Sequence, residues 1–329
     1  MAGGGKSAVL LAVLGNGFLT VIKFLAFLMT GSGALLSEAV HSFADTSNQG
    51  LLYFGAMRST RPADERFQYG YGADRYVYAL ISAMGIFVLG CGVTIYHGVN
   101  SLFNPPKLEI SWIAFAVLGL SFVIEGLVLM AAIREVNRER GKTGFFAFMA
   151  ASTDPTLIAV LLEDSVATLG VVVAAIGIGL AWWTGNPAFD AATSIVIGVL
   201  LGLLAIWLGW RNRLLILGPS VSAQKTERVV EFLERQPTIG AVRTVRTRVV
   251  GAKRFRLAVD VDWEGKELGV AQVEWLREQI GDEVSIDIDS LARDFGDRIL
   301  EALGDEVDRI EAELATRFPQ LSSIDIEAD

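Results

Sequence analysis

Leu36-Ser-Glu-Ala-Val-His-Ser-Phe-Ala-Asp-Thr-Ser-Asn-Gln49 lies within a region that otherwise reads as membrane-spanning helix, yet it carries Glu38, His41, Asp45 and Gln49. On an α-helix these four residues fall within an arc of roughly 80° and climb about 16 Å along the axis. A carboxylate at membrane depth is costly, so such residues face a bundle interior and mark ion or proton paths. A histidine and a carboxylate one turn apart can grip a single divalent cation. The rest of the chain is therefore expected to hold, open and regulate this stripe.

The composition outside the stripe supports a membrane setting. Of 329 residues 52% are hydrophobic, and the apolar residues concentrate before residue 218 in blocks of bilayer-spanning length. Two domains are expected, 1–218 in lipid and 219–329 in water. Charge divides at the same place. Residues 1–218 hold 13 Lys+Arg and 13 Asp+Glu, leaving 15 and 24 for residues 219–329, so the net charge of −9 belongs to the tail. An acidic tail disfavours nucleic acid and anionic headgroups as partners. The single cysteine, Cys91, excludes an intramolecular disulfide and a Cys-rich metal site. The apolar run from Ala8 to Met29 is longer than a typical signal core and is expected to be a retained first helix.

Six spans are drawn, at about 7–30, 34–58, 75–102, 109–135, 154–184 and 188–211, as an all-α bundle. The connections after the second, fourth and sixth spans carry Arg58, Arg61, Arg66, Arg134, Arg138, Arg140, Lys142, Arg211 and Arg213, whereas the opposite side offers only Lys107. The positive-inside rule then places both termini and the tail in the cytoplasm, with a plasma or inner membrane as the expected location. In the first span Asn16 is expected to bond between helices and Lys23 to snorkel towards the interface. Glu125 in the fourth span is expected to be structural, pairing with Lys23 or Asn16, or else to relay protons. His97 reads as a structural histidine. The fifth span holds Asp154, which suits an N-cap before Pro155, and Glu163 and Asp164 about two and a half turns deeper. Adjacent helical residues point about 100° apart, so only one of these two acids can face a site directly. The sixth span reads as a packing helix with a Gly198/Gly202 pair and no titratable centre. The tail reads as αββαβ, a ferredoxin-like α/β arrangement with an insertion at about 263–291.

Imidazole with carboxylates suits Zn²⁺ in tetrahedral sites, while Mn²⁺, Fe²⁺ or Co²⁺ tolerate similar or more oxygen-rich sets. His41 and Asp45 supply two ligands from one helix and an acid of the fifth span a third; Glu38, Gln49, the other fifth-span acid or water remain for the fourth. Metal and protons compete for such ligands, which is a physical basis for exchanging one for the other. Nothing resembles a nucleophile–base pair or a phosphate-cradling loop, so an enzyme and ATP drive are both disfavoured. No organic cofactor is expected.

Thr30-Gly-Ser32, His41 and Asp45 at the family's (His/Asp)-x-x-x-Asp position, Arg61-Pro-Ala-Asp-Glu65 and Tyr69-Gly-Tyr-Gly72, with six spans and an αββαβ tail, resemble the cation diffusion facilitator family. The segment around Leu162-Glu-Asp-Ser165 is similar to its zinc-transporter-nine-like branch. The resemblance implies a homodimeric exporter moving Zn²⁺ or a related ion against protons by alternating access. It also carries two departures. The fifth span usually has His-x-x-x-Asp; Asp164 fits the aspartate, but Val160 occupies the histidine position, so Glu163 or Gln49 becomes a substitute ligand. The tail lacks histidine, and Asp260, Asp262, Asp287, Asp289, Asp325 and Glu327 read as a solvated acidic face. The missing imidazole motivates an alternative, a non-transporting membrane scaffold or metal-sensing partner protein.

Overall fold

The computed structural model describes residues 4–105, 112–152, 155–251, 254–281 and 287–328. The chain forms two compact units, Met1–Leu217 and Gly218–Asp329.

The first unit is helical: α1 (Gly4–Thr30), α2 (Gly33–Ser59), α3 (Asp74–Phe103), α4 (Trp112–Arg140), α5 (Phe145–Ala151), α6 (Pro155–Thr184) and α7 (Ala188–Leu217). Among the described residues, parts or all of α1, α3, α4, α6 and α7 are long and apolar enough to cross a membrane. Helix α2 is as long as α1 but too polar to meet that measure, and it packs against α1, α3, α6 and α7. A helix carrying buried charge has to turn that face to protein rather than lipid, and α2 does so while Phe43, Phe54 and Met57 stay exposed. The short α5 was not foreseen. Its Phe145, Phe148 and Met149 pack with Leu157, Val160 and Leu161 of α6. Asp154, expected to cap the fifth span, lies outside the described residues.

A polar joint sets the start of α2. Ser32 is its N-cap and accepts from the Leu35 amide. The Ser32 hydroxyl donates to Asp190 at 2.5 Å, and the Gly33 and Ala34 amides donate to the same carboxylate at 2.6 and 3.4 Å. The first amides of a helix have no partner within it, and they favour negative charge. Asp190 stands in the first turn of α7 and is 2% exposed. The sixth span therefore does contain a buried titratable residue, contrary to expectation; it escaped notice because an acid in a first helical turn also suits its own helix. Gly33 makes room for the joint, since a Cβ there would lie 2.8 Å from Ser194 Oγ and 3.0 Å from the His97 ring. His97 itself sits edge-on to Phe27 with centroids 6.0 Å apart, as part of this packing.

Helices α3 and α7 approach closely where glycine removes side-chain bulk. A Cβ on Gly198 would come within 2.6 Å of Ile95 Cγ1, and one on Gly202 within 2.8 Å of Cys91 Sγ. Opposite them α3 widens into a π-helical stretch over Ile86–Val93, a local feature that frequently accompanies functional sites.

The second unit has α8 (Ala223–Leu233), β1 (Ile239–Gly251), β2 (Arg254–Trp263), α9 (Gly265–Val270), α10 (Val273–Ile280), α11 (Ile288–Arg317) and β3 (Leu321–Ala328). The sheet order is β1-β2-β3, with β1 antiparallel and β3 parallel to β2. Leu257, Val259 and Val261 alternate along β2 and bury against Val229 and Leu233 of α8 and Ile310 and Leu314 of α11, the period expected of a half-buried strand. The intervening positions carry charge. Arg246 pairs with Asp260 at 2.9 Å, Arg256 with Asp325 at 3.1 Å, and Arg243 with Asp262. Asp260, Asp262 and Asp325 are thus neutralised across neighbouring strands rather than merely solvated. Asp287 is spent on capping α11, accepting from the Asp289 and Ser290 amides. In the insertion, Trp275 of α10 lies under the Arg298 guanidinium of α11, 4.7 Å from its centroid; residues 282–286 of the expected extra segment lie outside the described residues.

Two outcomes follow for stability. Asp190→Ala strands amides at the head of α2 and is expected to lower stability by about 1–3 kcal/mol, read as a reduced thermal transition of the purified protein. In the tail, Glu306 accepts from Arg309 at 2.7 Å and from Thr238 at 2.6 Å. Those bonds, Arg309's first, hold its carboxyl below the ordinary glutamate range despite some burial. Its stabilising contribution is complete above the ordinary value of about 4.3 and is lost as pH falls through the depressed value. Glu306→Gln is therefore expected to flatten the acid limb of unfolding below about pH 4.3, measured by a pH series of thermal transitions.

Candidate metal centre

Packed against α1, α3, α6 and α7, α2 turns its stripe inward. Glu38, His41 and Asp45 are all buried, and Gln49 one turn further on is half-buried. His41 Nε2 lies 3.3 Å from Asp45 Oδ2. On α6, which packs against α2, Glu163 is 3% and Asp164 8% exposed. Asp45 interacts electrostatically with both, and with Glu125 and Lys23.

The donor atoms here are unusually idle. Both ring nitrogens of His41, Asp45 Oδ1, Gln49 Oε1, Glu163 Oε1 and Asp164 Oδ2 are buried without a hydrogen-bond partner. Buried polar atoms are nearly always paired, so a cluster of unpaired ones calls for a functional reason. In the conformation described, no three His, Cys, Asp or Glu side chains among the described residues converge closely enough to hold a metal ion. The donors stand ready on two helices without forming a closed cage.

The two acids of α6 differ in their surroundings. Glu163 accepts from the Asn48 amide of α2, and Asn48 in turn accepts from Ser82 of α3, so one Glu163 oxygen is tied into a chain across three helices. Asp164 has no such tie to α2. Val160 belongs to the apolar cluster with α5, which accounts for a hydrophobic residue one turn before Asp164.

Glu38 has an immediate partner of another kind. Lys23 of α1 places its ammonium 2.8 Å from Glu38 Oε2, 2.6 Å from Glu125 Oε1 of α4 and 3.0 Å from Ser42 Oγ. Lys23 is fully buried and does not snorkel: two carboxylates from neighbouring helices hold its ammonium inside the bundle. Of the two partners considered for Glu125, Lys23 is the one found. On the far side Glu38 leans on Gly170, where a Cβ would come within 2.6 Å of Glu38 Oε1. Ser42, Asn48 and Ser82 were not picked out from the sequence. Ser42 follows Glu38 by one turn, a signal available in hindsight, whereas the pairing of Asn48 with Glu163 depends on how two helices are placed side by side.

Beside the sites, the loop after α2 is ordered around Asp64. It accepts from the Phe67 and Arg66 amides at 2.8 and 3.0 Å and from Tyr71 Oη at 2.6 Å. Hydrogen bonding from Tyr71 is the main reason that the Asp64 carboxyl is held below its ordinary range and the Tyr71 phenol above its own.

Residues 9–217 match the family described as the cation efflux transmembrane domain. The chain is 36% identical over 336 residues to the proton-coupled zinc antiporter SLC30A9, mitochondrial, of Homo sapiens, an alignment covering 99% of this chain and 58% of that protein. It thus spans less than two thirds of that relative's length. To metal tolerance protein C4 of Arabidopsis thaliana it is 35% identical over 337 residues, 98% of this chain and 73% of the relative. The cation-efflux pump FieF of Shewanella oneidensis is more distant, 24% identical over 242 residues, 72% of this chain and 75% of the pump. These relatives are named for transport or metal tolerance, not for an enzymatic reaction. With a matching membrane unit, near full-length similarity and a polar helix enclosed by apolar ones, the chain belongs to the cation diffusion facilitator family.

Proposed function

We propose that the membrane unit exports Zn²⁺, or a related divalent ion such as Mn²⁺, Fe²⁺ or Co²⁺, in exchange for protons, with His41, Asp45 and Asp164 as ligands and Glu163 as the fourth. The observation that carries this reading is the set of buried, unpartnered donor atoms on the adjoining helices α2 and α6, with Asp45 in electrostatic reach of both α6 acids. One imidazole with three carboxylates fits this group of metals. A small closing movement of α2 on α6 completes the coordination, and its reversal releases the ion; alternating access follows if the opened site faces opposite sides of the membrane in turn. Ligand deprotonation accompanies binding, so each transport cycle carries protons the other way. Asn48 holds one oxygen of Glu163 and leaves the other for the metal, compensating for valine at position 160. Gln49 serves on the approach to the site, and Glu38 serves the Lys23 pair. The human relative is named a proton-coupled zinc antiporter, which supports the exchange of zinc for protons. The basic connections support a cytoplasmic position for both termini and the acidic tail, and membership of the family supports a homodimer.

Purified protein in liposomes is expected to move Zn²⁺ against an opposing proton flux that a protonophore collapses. Asp45→Ala and Asp164→Ala should each lower that flux by about 100-fold or more, and Asn48→Ala by about 10-fold, in keeping with residues that respectively hold a metal and orient a ligand. Undiminished flux in Asp45→Ala would remove the site assignment.

A further inference from the structure

The ammonium of Lys23 has three hydrogens to donate, and all three are used: to Glu38 from α2, to Ser42 from the next turn of α2, and to Glu125 from α4. Further oxygens remain idle around this arrangement. Glu38 Oε1 and Glu125 Oε2 are buried and unpartnered, as is the hydroxyl of Ser121, which lies four residues before Glu125 on the same face of α4. The ammonium is surrounded by Glu38 Oε2, Ser42 Oγ and Glu125 Oε1, oxygens with no nitrogen or sulfur among them, the ligand chemistry of hard divalent cations. Two acids thus share one ammonium in a region sealed from solvent.

We propose that Glu38, Ser42 and Glu125, with Ser121 at its edge, form a second cation site in the bundle, and that the Lys23 ammonium is its tethered occupant. Lys23 thereby limits the membrane unit to one exchangeable divalent ion. A side chain on α1 fills the site permanently, supplies positive charge without exchanging, and joins α1, α2 and α4. Without Lys23 the two buried acids would lack a counter-charge and would have to be neutralised by protons or by an added cation. A divalent ion matches the vacated site in charge and in ligand type. The inference is independent of which ion the His41–Asp45–Asp164 site carries, and the test is arranged to keep the two apart.

The measurement is Mn²⁺ binding to full-length protein in detergent, by equilibrium dialysis with electron paramagnetic resonance of the free ion. In an Asp45→Ala background, which disables the transport site, little Mn²⁺ should bind. Lys23→Ala/Asp45→Ala is expected to bind one Mn²⁺ per chain at least tenfold more tightly than Asp45→Ala, and adding Glu125→Gln should abolish the gain. Equal binding by Asp45→Ala and Lys23→Ala/Asp45→Ala overturns the proposal. If the double variant is too unstable to purify without metal, Mn²⁺ added during solubilisation should raise its thermal transition and Glu125→Gln should cancel that rise. A transition that Mn²⁺ leaves unmoved is equally fatal. Loss of transport in Asp45→Ala, by contrast, bears only on the other site.

Discussion

Charge buried among apolar helices has to be answered inside the protein, because neither lipid nor bulk water can do it. In this chain the answer is the Lys23 ammonium held between Glu38 and Glu125. The pair ties three helices together and fixes which face of α2 turns inward. Once that face is fixed, His41 and Asp45 follow by helical period, and α6 has to present its acids at the same depth. The glycine at position 170, which lets Glu38 lie against the backbone of α6, belongs to the same constraint. Packing in this bundle is thus arranged around electrostatics, with apolar contacts filling the space between.

How much of this was legible in the sequence depends on the range of the interaction. The stripe on α2 was readable because helical period alone places Glu38, His41, Asp45 and Gln49 on one face. Five of the long helices, α1, α3, α4, α6 and α7, were readable from apolar length, and the β2 core from alternation. What sequence could not supply was the register between helices. Lys23 looked like a snorkelling residue because its acids are 15 and 102 positions away. Asp190 drew no notice at the start of an apolar span, although its carboxylate accepts from the head of a different helix. The pairing of Asn48 with Glu163 and the stretched turns of α3 were invisible for the same reason. In the tail, alternation revealed acids on the outer face of the sheet, but their arginine partners emerge only when strands are set side by side.

The two units handle acid side chains in opposite ways. In the tail, Asp260, Asp262 and Asp325 are each met by an arginine on a neighbouring strand, and Asp287 by backbone amides. Their bonding capacity is largely used, which agrees with a structural role. In the membrane unit, Asp45, Glu163 and Asp164 keep oxygens unpaired despite a far higher cost of doing so. Unsatisfied acids have been kept where they are most expensive and satisfied where they are cheap, and that contrast separates a working site from a folded surface.

The joint between Asp190 and the head of α2 has a mechanical reading. With three bonds fixing the Ser32 end, a rearrangement that preserves them can only swing α2 like a lever about that point. Asp45 lies about 20 Å along the lever and Ser59 about 40 Å, at 1.5 Å per residue. A swing of about one degree displaces Asp45 by ~0.35 Å, already beyond the ~0.2 Å tolerance of a metal–ligand bond. Five degrees moves the Ser59 end by ~3.5 Å, about a side chain's width. One anchored end therefore converts a slight rotation into both the loss of the proposed coordination and the parting of helices at the far end.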